Sequence, residues 1–176
     1  MTRRYLAFFV GLLLLAVSVA VAQATRDDDP YQLVVSVAPL PQGNNVWSAR
    51  IVRVGGFSGT RLVATLTSDA RLTCFSCAES SVTRTLSAEA FQAAIPVFDP
   101  RAFADKPALK RVKPGDQVRA SRSGACSDCF VTSVFLQHRD PDGKVVTYFA
   151  SWDDVTASQI PPELIKLANG IGSLVR

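Results

Sequence analysis

An α+β fold is predicted by three observations. After residue 46, apolar and polar side chains alternate with a period of two through three consecutive stretches separated by short turns. A second alternating pair closes around Asp140-Pro141-Asp142-Gly143. Two further stretches, after Ser87 and after Pro161, carry apolar residues at helical spacing. The order strands, helix, loop, strands, helix gives an antiparallel sheet, built as a three-strand meander plus a hairpin, with two helices packed on one face.

Each element has a local reason. Tyr31 to Val37 has strand character, ended by Pro39, Pro41, Gly43, Asn44 and Asn45. In the next stretch Val46, Ser48, Arg50, Val52 and Val54 point one way, while Trp47, Ala49, Ile51 and Arg53 point the other. Gly55-Gly56-Phe57-Ser58-Gly59 interrupts this strand, and Arg61 to Thr67 resumes it. Ser68-Asp69-Ala70 turns the chain into a third strand, Arg71 to Cys77. Connections this short cannot make a parallel crossover, so the three strands form an antiparallel meander.

Ser87 is an N-cap, with Glu89 in the first turn where the helix dipole favours negative charge. Phe91, Ile95 and Phe98 then recur at helical spacing, and Pro96 is expected to end or kink the helix early. Residues 99–125 read as loop, with Pro100, Pro107, Pro114-Gly115 and Ser123-Gly124. The hairpin runs from Phe130 to His138 and from Lys144 to Trp152. Pro161-Pro162-Glu163 opens the last helix, Pro162 sitting where its missing N–H is harmless. Leu164, Leu167, Ala168, Ile171 and Leu174 or Val175 form its buried stripe, and Gly170 and Gly172 weaken its end.

Composition sets the broad class. The chain has 176 residues, 48% of them hydrophobic and 19% charged, which excludes a disordered or collagen-like polymer. Residues 1–24 read as a signal peptide: Arg3 and Arg4 form a basic start, and Leu6 to Ala22 is apolar apart from Ser18. Ala20-Val21-Ala22 and Ala22-Gln23-Ala24 both suit cleavage after small residues. Left uncleaved, the segment would instead be a membrane anchor. Thr2-Arg3-Arg4 also resembles a twin-arginine start, but the greasy run behind it suits the general secretory route. The protein is therefore expected to be secreted or periplasmic. Residues 25–45 would be an N-terminal extension and 46–176 a single α+β domain.

Removing the leader takes Arg3 and Arg4 from the 19 basic residues and none of the 15 acids, leaving a net charge of +2. Basic residues are scattered rather than striped, so nucleic acid is not an expected partner.

Cys74-Phe75-Ser76-Cys77 and Cys126-Ser127-Asp128-Cys129 are the most conspicuous chemistry. In an exported chain they are expected to form disulfides. Residues i and i+3 of a regular strand lie about 10 Å apart, beyond the roughly 7 Å that a disulfide allows, and Cys74 and Cys77 would face opposite sides. A local bond would need the third strand to stop before Phe75; otherwise the two segments are stapled across a loop of about 50 residues, adding roughly 4 kcal/mol. The alternative is a zinc site on Cys74, Cys77, Cys126 and Cys129, with a spacing much longer than the usual ribbon. A redox-active dithiol would need a helix N-terminus after a strand, and neither pair has it. Neither pair is followed by His, which excludes covalent haem.

Other candidate chemistry is thin. His138 is the sole imidazole and reads as a solvated strand-end residue. Asp140-Pro141-Asp142-Gly143 mimics the opening of a calcium loop but lacks the closing Glu. Adjacent Asp153 and Asp154 would diverge in a strand, so no general acid–base pair is indicated. Asp27 to Asp29 suit a solvated mature N-terminus. No active site and no cofactor are expected, and the chain is read as a non-enzyme.

Several segments together resemble the emfourin-like family, named after inhibitors of thermolysin-type metallopeptidases. Arg53-Val54-Gly55-Gly56-Phe57-Ser58-Gly59-Thr60-Arg61 resembles its Gly-Gly-Phe-x-Gly signature. Leu86-Ser87-Ala88-Glu89, Phe103, Ser127-Asp128-Cys129-Phe130 and Pro161-Pro162-Glu163-Leu164 follow in the same order. The likeness spans about residues 46–175; Pro96, the longer following loop, the leader and the Cys pairs depart from it. It implies a secreted metallopeptidase as partner, with Gly55, Gly56, Phe57, Ser58 and Gly59 as the binding loop. Glycines there would permit close backbone approach, and Phe57 would fill an apolar pocket. The same residues also suit a structural bulge or tight turn with Phe57 in the core. Two other functions stay open: a metal- or thiol-redox-handling periplasmic protein using the CxxC pairs, and a structural envelope protein.

Overall fold

The computed structural model describes residues 33–40, 46–56, 60–77, 80–98, 100–103, 106–120 and 128–175. The leader expected at 1–24 lies outside them. Nine strands are described: β1 Leu33–Ser36, β2 Trp47–Gly55, β3 Thr60–Thr67, β4 Arg71–Cys77, β5 Ser80–Thr85, β6 Lys110–Val112, β7 Gln117–Ala120, β8 Phe130–Arg139 and β9 Val145–Asp153. Two α-helices, α1 Ala88–Phe98 and α2 Pro162–Leu174, complete the set, with short 3-10 turns at Pro100–Phe103 and Ala157–Gln159.

Seven strands form one antiparallel sheet in the order β5-β4-β3-β2-β8-β9-β6, and β1 pairs with β7 in a separate ribbon. The architecture is α+β and mostly antiparallel sheet. The meander has four strands rather than three. Its extra strand, β5, is Ser80-Ser81-Val82-Thr83-Arg84-Thr85, whose described side chains are exposed, so no apolar alternation marks it. Two short strands, β6 and β7, also interrupt the region read as loop.

Period-two alternation is realised as two cores. Trp47, Ala49 and Ile51 of β2, Ala64 and Leu66 of β3, Leu72 of β4 and Val134 and Leu136 of β8 face the helices. From α2, Leu164, Leu167 and Ile171 pack against them fully buried, each contributing about 1.5–3 kcal/mol by leaving water. Phe91 of α1 stacks on Trp47 at 6.1 Å between ring centres. The opposite face gathers Val52, Val63, Phe135 and Phe149, covered by Val35 and Val37 from the chain around β1 and by Val118 of β7. Arg50 lies on this face over the Phe135 ring, where burial, and then Arg61, lower its pKa.

The helix starts follow the sequence. Ser87 Oγ accepts the Ala90 N–H at 3.2 Å as an N-cap. Pro96, expected to end or kink α1, lies inside it, and the helix runs two residues further to Phe98. Removing one donor so near the last turn leaves little helix to break. In α2, Pro162 opens the first turn beside Glu163. The Glu163 carboxyl is held below the usual carboxylate range by its own backbone N–H, and next by Lys106 Nζ at 3.4 Å.

A buried polar bridge ties the N-terminal stretch to the sheet. Ser48 Oγ donates to Gln137 Oε1 at 3.0 Å, and Gln137 Nε2 donates to Ala38 O at 2.7 Å and to Thr147 Oγ1 at 3.2 Å. One side chain therefore bonds groups from three chain segments, two of them on buried residues, Ser48 and Thr147. Gln137→Met keeps the volume and strands those groups. It is expected to cost about 1–3 kcal/mol in urea unfolding, and to speed proteolysis around residues 37–40.

Candidate functional site

Antiparallel pairing brings several strand ends to one edge of the large sheet. The ends of β2, β4 and β9 and the starts of β3, β5 and β8 all lie there. Gly55 is the last residue of β2, paired with Thr60 on one side and Phe130 on the other. Its φ is 128° and that of Gly56 is 72°, a region that residues with a Cβ rarely adopt. Gly56 is demanded a second time: a Cβ there would lie 2.6 Å from Cζ of Phe130. Phe57, Ser58 and Gly59 lie outside the described residues. They complete the short connection into β3.

Around Phe130 the edge is braced by charge. The Arg53 guanidinium sits 4.4 Å from the Phe130 ring centre, and its Nη2 lies 3.8 Å from Asp154 Oδ1. The other oxygen of Asp154 accepts the Phe130 backbone N–H at 2.9 Å. Arg53 Nε is buried with no hydrogen-bond partner among the described residues, consistent with a guanidinium placed for stacking rather than for a bidentate pair. Stacking and the half-exposed ion pair are each worth about 0.5–1 kcal/mol, so this cluster shapes the edge more than it stabilises the fold.

The turn after β9 is rigid in its own right. Buried Asp153 accepts the Val155 N–H at 3.1 Å, the Thr156 N–H at 2.8 Å and the Thr156 hydroxyl at 2.8 Å. Thr156 Oγ1 also accepts the Asp153 N–H at 3.0 Å. By adjacency alone Asp153 and Asp154 suggest an acid–base pair that a strand would separate. The spacing of Asp153 to Thr156 was the available signal for a side-chain-closed turn. Arg53 and Asp154 carried no such signal, since their meeting depends on β2, β8 and β9 lying side by side.

The cysteines divide between edge and interior. Cys74 lies within β4, 3% exposed, while buried Cys129 immediately precedes β8. Cys126 and the Cys77 side chain lie outside the described residues, and no described cysteine is a free thiol. In register, Cys74 is level with Ala64, Ile51 and Val134. It is thus three strands across and five residues along from Cys129, about 20 Å. That separation excludes a direct Cys74–Cys129 bond, and equally a single zinc ion shared by both. Among the described residues no three His, Cys, Asp or Glu side chains group as a metal site.

Remaining candidates fall elsewhere. His138 stacks on Tyr148 at 5.9 Å and pairs with Trp47, at the sheet end opposite the glycines. Asp140 Oδ1 accepts the Lys144 N–H at 2.8 Å, and Gly143 has φ 80°, so 140–143 is a hairpin turn. No helix among the described residues is long and apolar enough to cross a membrane.

No family model matches the chain. No curated protein and no solved structure matches it either.

The double demand on Gly56 is measurable. Gly143→Ala, at positive φ in open space, is expected to cost about 1–2 kcal/mol, and Gly56→Ala at least about 1 kcal/mol more because of Phe130. Combining Gly56→Ala with Phe130→Ala should be clearly less than additive in denaturant unfolding.

Proposed function

We propose that the chain is an exported, non-catalytic binding domain that inhibits a secreted thermolysin-like metallopeptidase, with Gly55, Gly56, Phe57, Ser58 and Gly59 as its contact loop. The observation that carries this reading is the start of that loop. Two consecutive glycines at positive φ end β2 at the sheet edge, and Phe130, with Arg53 over its ring, backs the second of them. A backbone fixed before binding loses less freedom when a partner closes on it, and glycine lets the partner approach the main chain. The resemblance of this segment to the Gly-Gly-Phe-x-Gly signature supports the same assignment.

The cysteines fit as braces for an exported chain. Cys74 pairs with Val82 and Cys77 with Ser80, so three steps on β4 oppose two on β5 across a bulge. A bulge draws Cys74 and Cys77 closer than the two would lie in a regular strand, which favours a local disulfide although the strand continues through Phe75. On this reading Cys129, itself disulfide-bonded, takes its neighbour in sequence, Cys126, as partner. Bonds this local add about 2 kcal/mol each rather than the 4 of a long staple. A redox role is disfavoured, because Cys74 is buried in mid-strand, away from any helix N-terminus.

Two measurements test the reading. Purified mature protein is expected to slow a thermolysin-like enzyme at near-stoichiometric ratio, with Phe57→Ala raising Ki about tenfold or more. No slowing across a panel of such enzymes removes the inhibitor assignment. Tryptic digestion without reductant releases 72–84, which holds Cys74 and Cys77, and 123–139, which holds Cys126 and Cys129. Local bonds leave the two peptides separate, each lighter by two hydrogens than after reduction. A linked pair overturns the local assignment, and free thiols overturn the disulfides altogether.

A further inference from the structure

We infer that β5 is a pairing edge through which two copies of this chain join their sheets, antiparallel about Thr83. The inference does not rest on the inhibitor reading. β5 ends the seven-stranded sheet, with β4 on one side and, among the described residues, no strand on the other. The Leu86 N–H donates to Ala70 O at 2.9 Å, one step beyond the Arg71–Thr85 pair. Bonding alternates along an antiparallel pair, so Val82 and Arg84 turn their main-chain groups to β4. Those of Ser81, Thr83 and Thr85 turn outward, in a six-residue strand with no proline, glycine or lysine to blunt it. The other end of the sheet is guarded: β6 has three residues, and Lys110 and Arg111 are two of them.

The occupant follows from what such an edge can pair with. A row of bare N–H and C=O groups takes an extended strand, and a two-fold axis at Thr83 supplies one that matches. Thr83 then faces its own copy and Ser81 faces Thr85, so the three outward residues of each chain are all bonded. In that register Arg84, the single charge of β5, lies opposite Val82 and not opposite the second Arg84. Arg84 Nη2 donates to Leu174 O, which already gives the cation a partner within its own chain. Apolar surface lies on both faces of the same edge. Val82, 46% exposed, is level with Cys74 on the helix face, and Phe75, 49% exposed, is level with Val63 on the other. Pairing extends both faces at once. Six residues a side bury less than the roughly 1,200 Å² of a standard interface, so the dimer is weak and concentration-dependent.

Sedimentation velocity of the purified mature protein, from micromolar to millimolar concentration, is expected to show monomer giving way to dimer. Thr83→Pro deletes an outward N–H without touching the β4 pairing, and should abolish the dimer. Thr83→Lys sets two like charges across the axis, and should raise the dimer Kd about tenfold or more with a nearly unchanged melting temperature. Lysine suits an exposed edge strand, so this variant keeps the test whole if the proline one misfolds. Arg111→Glu on β6 is the control and should leave the Kd where it is. A dimer that persists in both Thr83 variants lies on another surface and overturns the inference. A monomer at every concentration overturns it too, and leaves the edge to a strand of another protein or to solvent.

Discussion

The β2–β8 pair is buried on both faces, and the remaining elements are arranged to keep it so. Val134 and Leu136 of β8 lie level with Ile51 and Ala49 of β2 on one face, while Phe135 and Ser133 lie level with Arg50 and Val52 on the other. Neither face can be left to water, because each carries residues that are almost completely inaccessible. The helices close the first face. The second is closed by a two-stranded ribbon whose strands come from distant parts of the chain, β1 and β7. Gln137 joins that ribbon's chain to the sheet through the Ala38 carbonyl. A polar bridge in an apolar layer fixes which way the ribbon lies, since a shifted ribbon would leave the amide unsatisfied.

That central pair also determines where chemistry gathers. Neighbouring strands run in opposite directions, so the connections β2–β3 and β4–β5, the approach to β8 and the exit from β9 share one edge. Residues with no relation in sequence then become neighbours. Arg53, Phe130 and Asp154 meet because β2 and β9 flank β8 on either side. The stable interior sits two to four residues further in, at Ile51, Val134 and Ala150. Substitutions at the edge are thus felt locally, while the core fixes the spacing between the loops.

Much of the fold was legible where burial writes a period into the sequence. The alternation of β2 and β3, the hairpin at 140–143 and the 164, 167, 171 stripe of α2 are all of this kind. β5 was invisible for the converse reason: an edge strand whose described side chains, Ser81 to Thr85, are exposed needs only backbone pairing, and backbone pairing leaves no pattern. Pro96 misled because the rule against proline applies to helix interiors, and this helix was nearly finished. The regular-strand count between Cys74 and Cys77 does not apply at this bulge, where three steps on β4 oppose two on β5, and no residue between them announces it. At the candidate site, the glycines were legible by type and the brace around Phe130 was not.

Gly55 and Gly56 have a complete internal explanation. Positive φ at both, and the Phe130 ring where a Cβ of the second would lie, require glycine whether or not anything binds. Their presence sets the shape of the edge and says nothing alone about a partner. A binding surface must be read from groups whose state the fold does not require. Buried Asp153 closes its turn equally well over any side chain at 155, because the bond is to the backbone N–H.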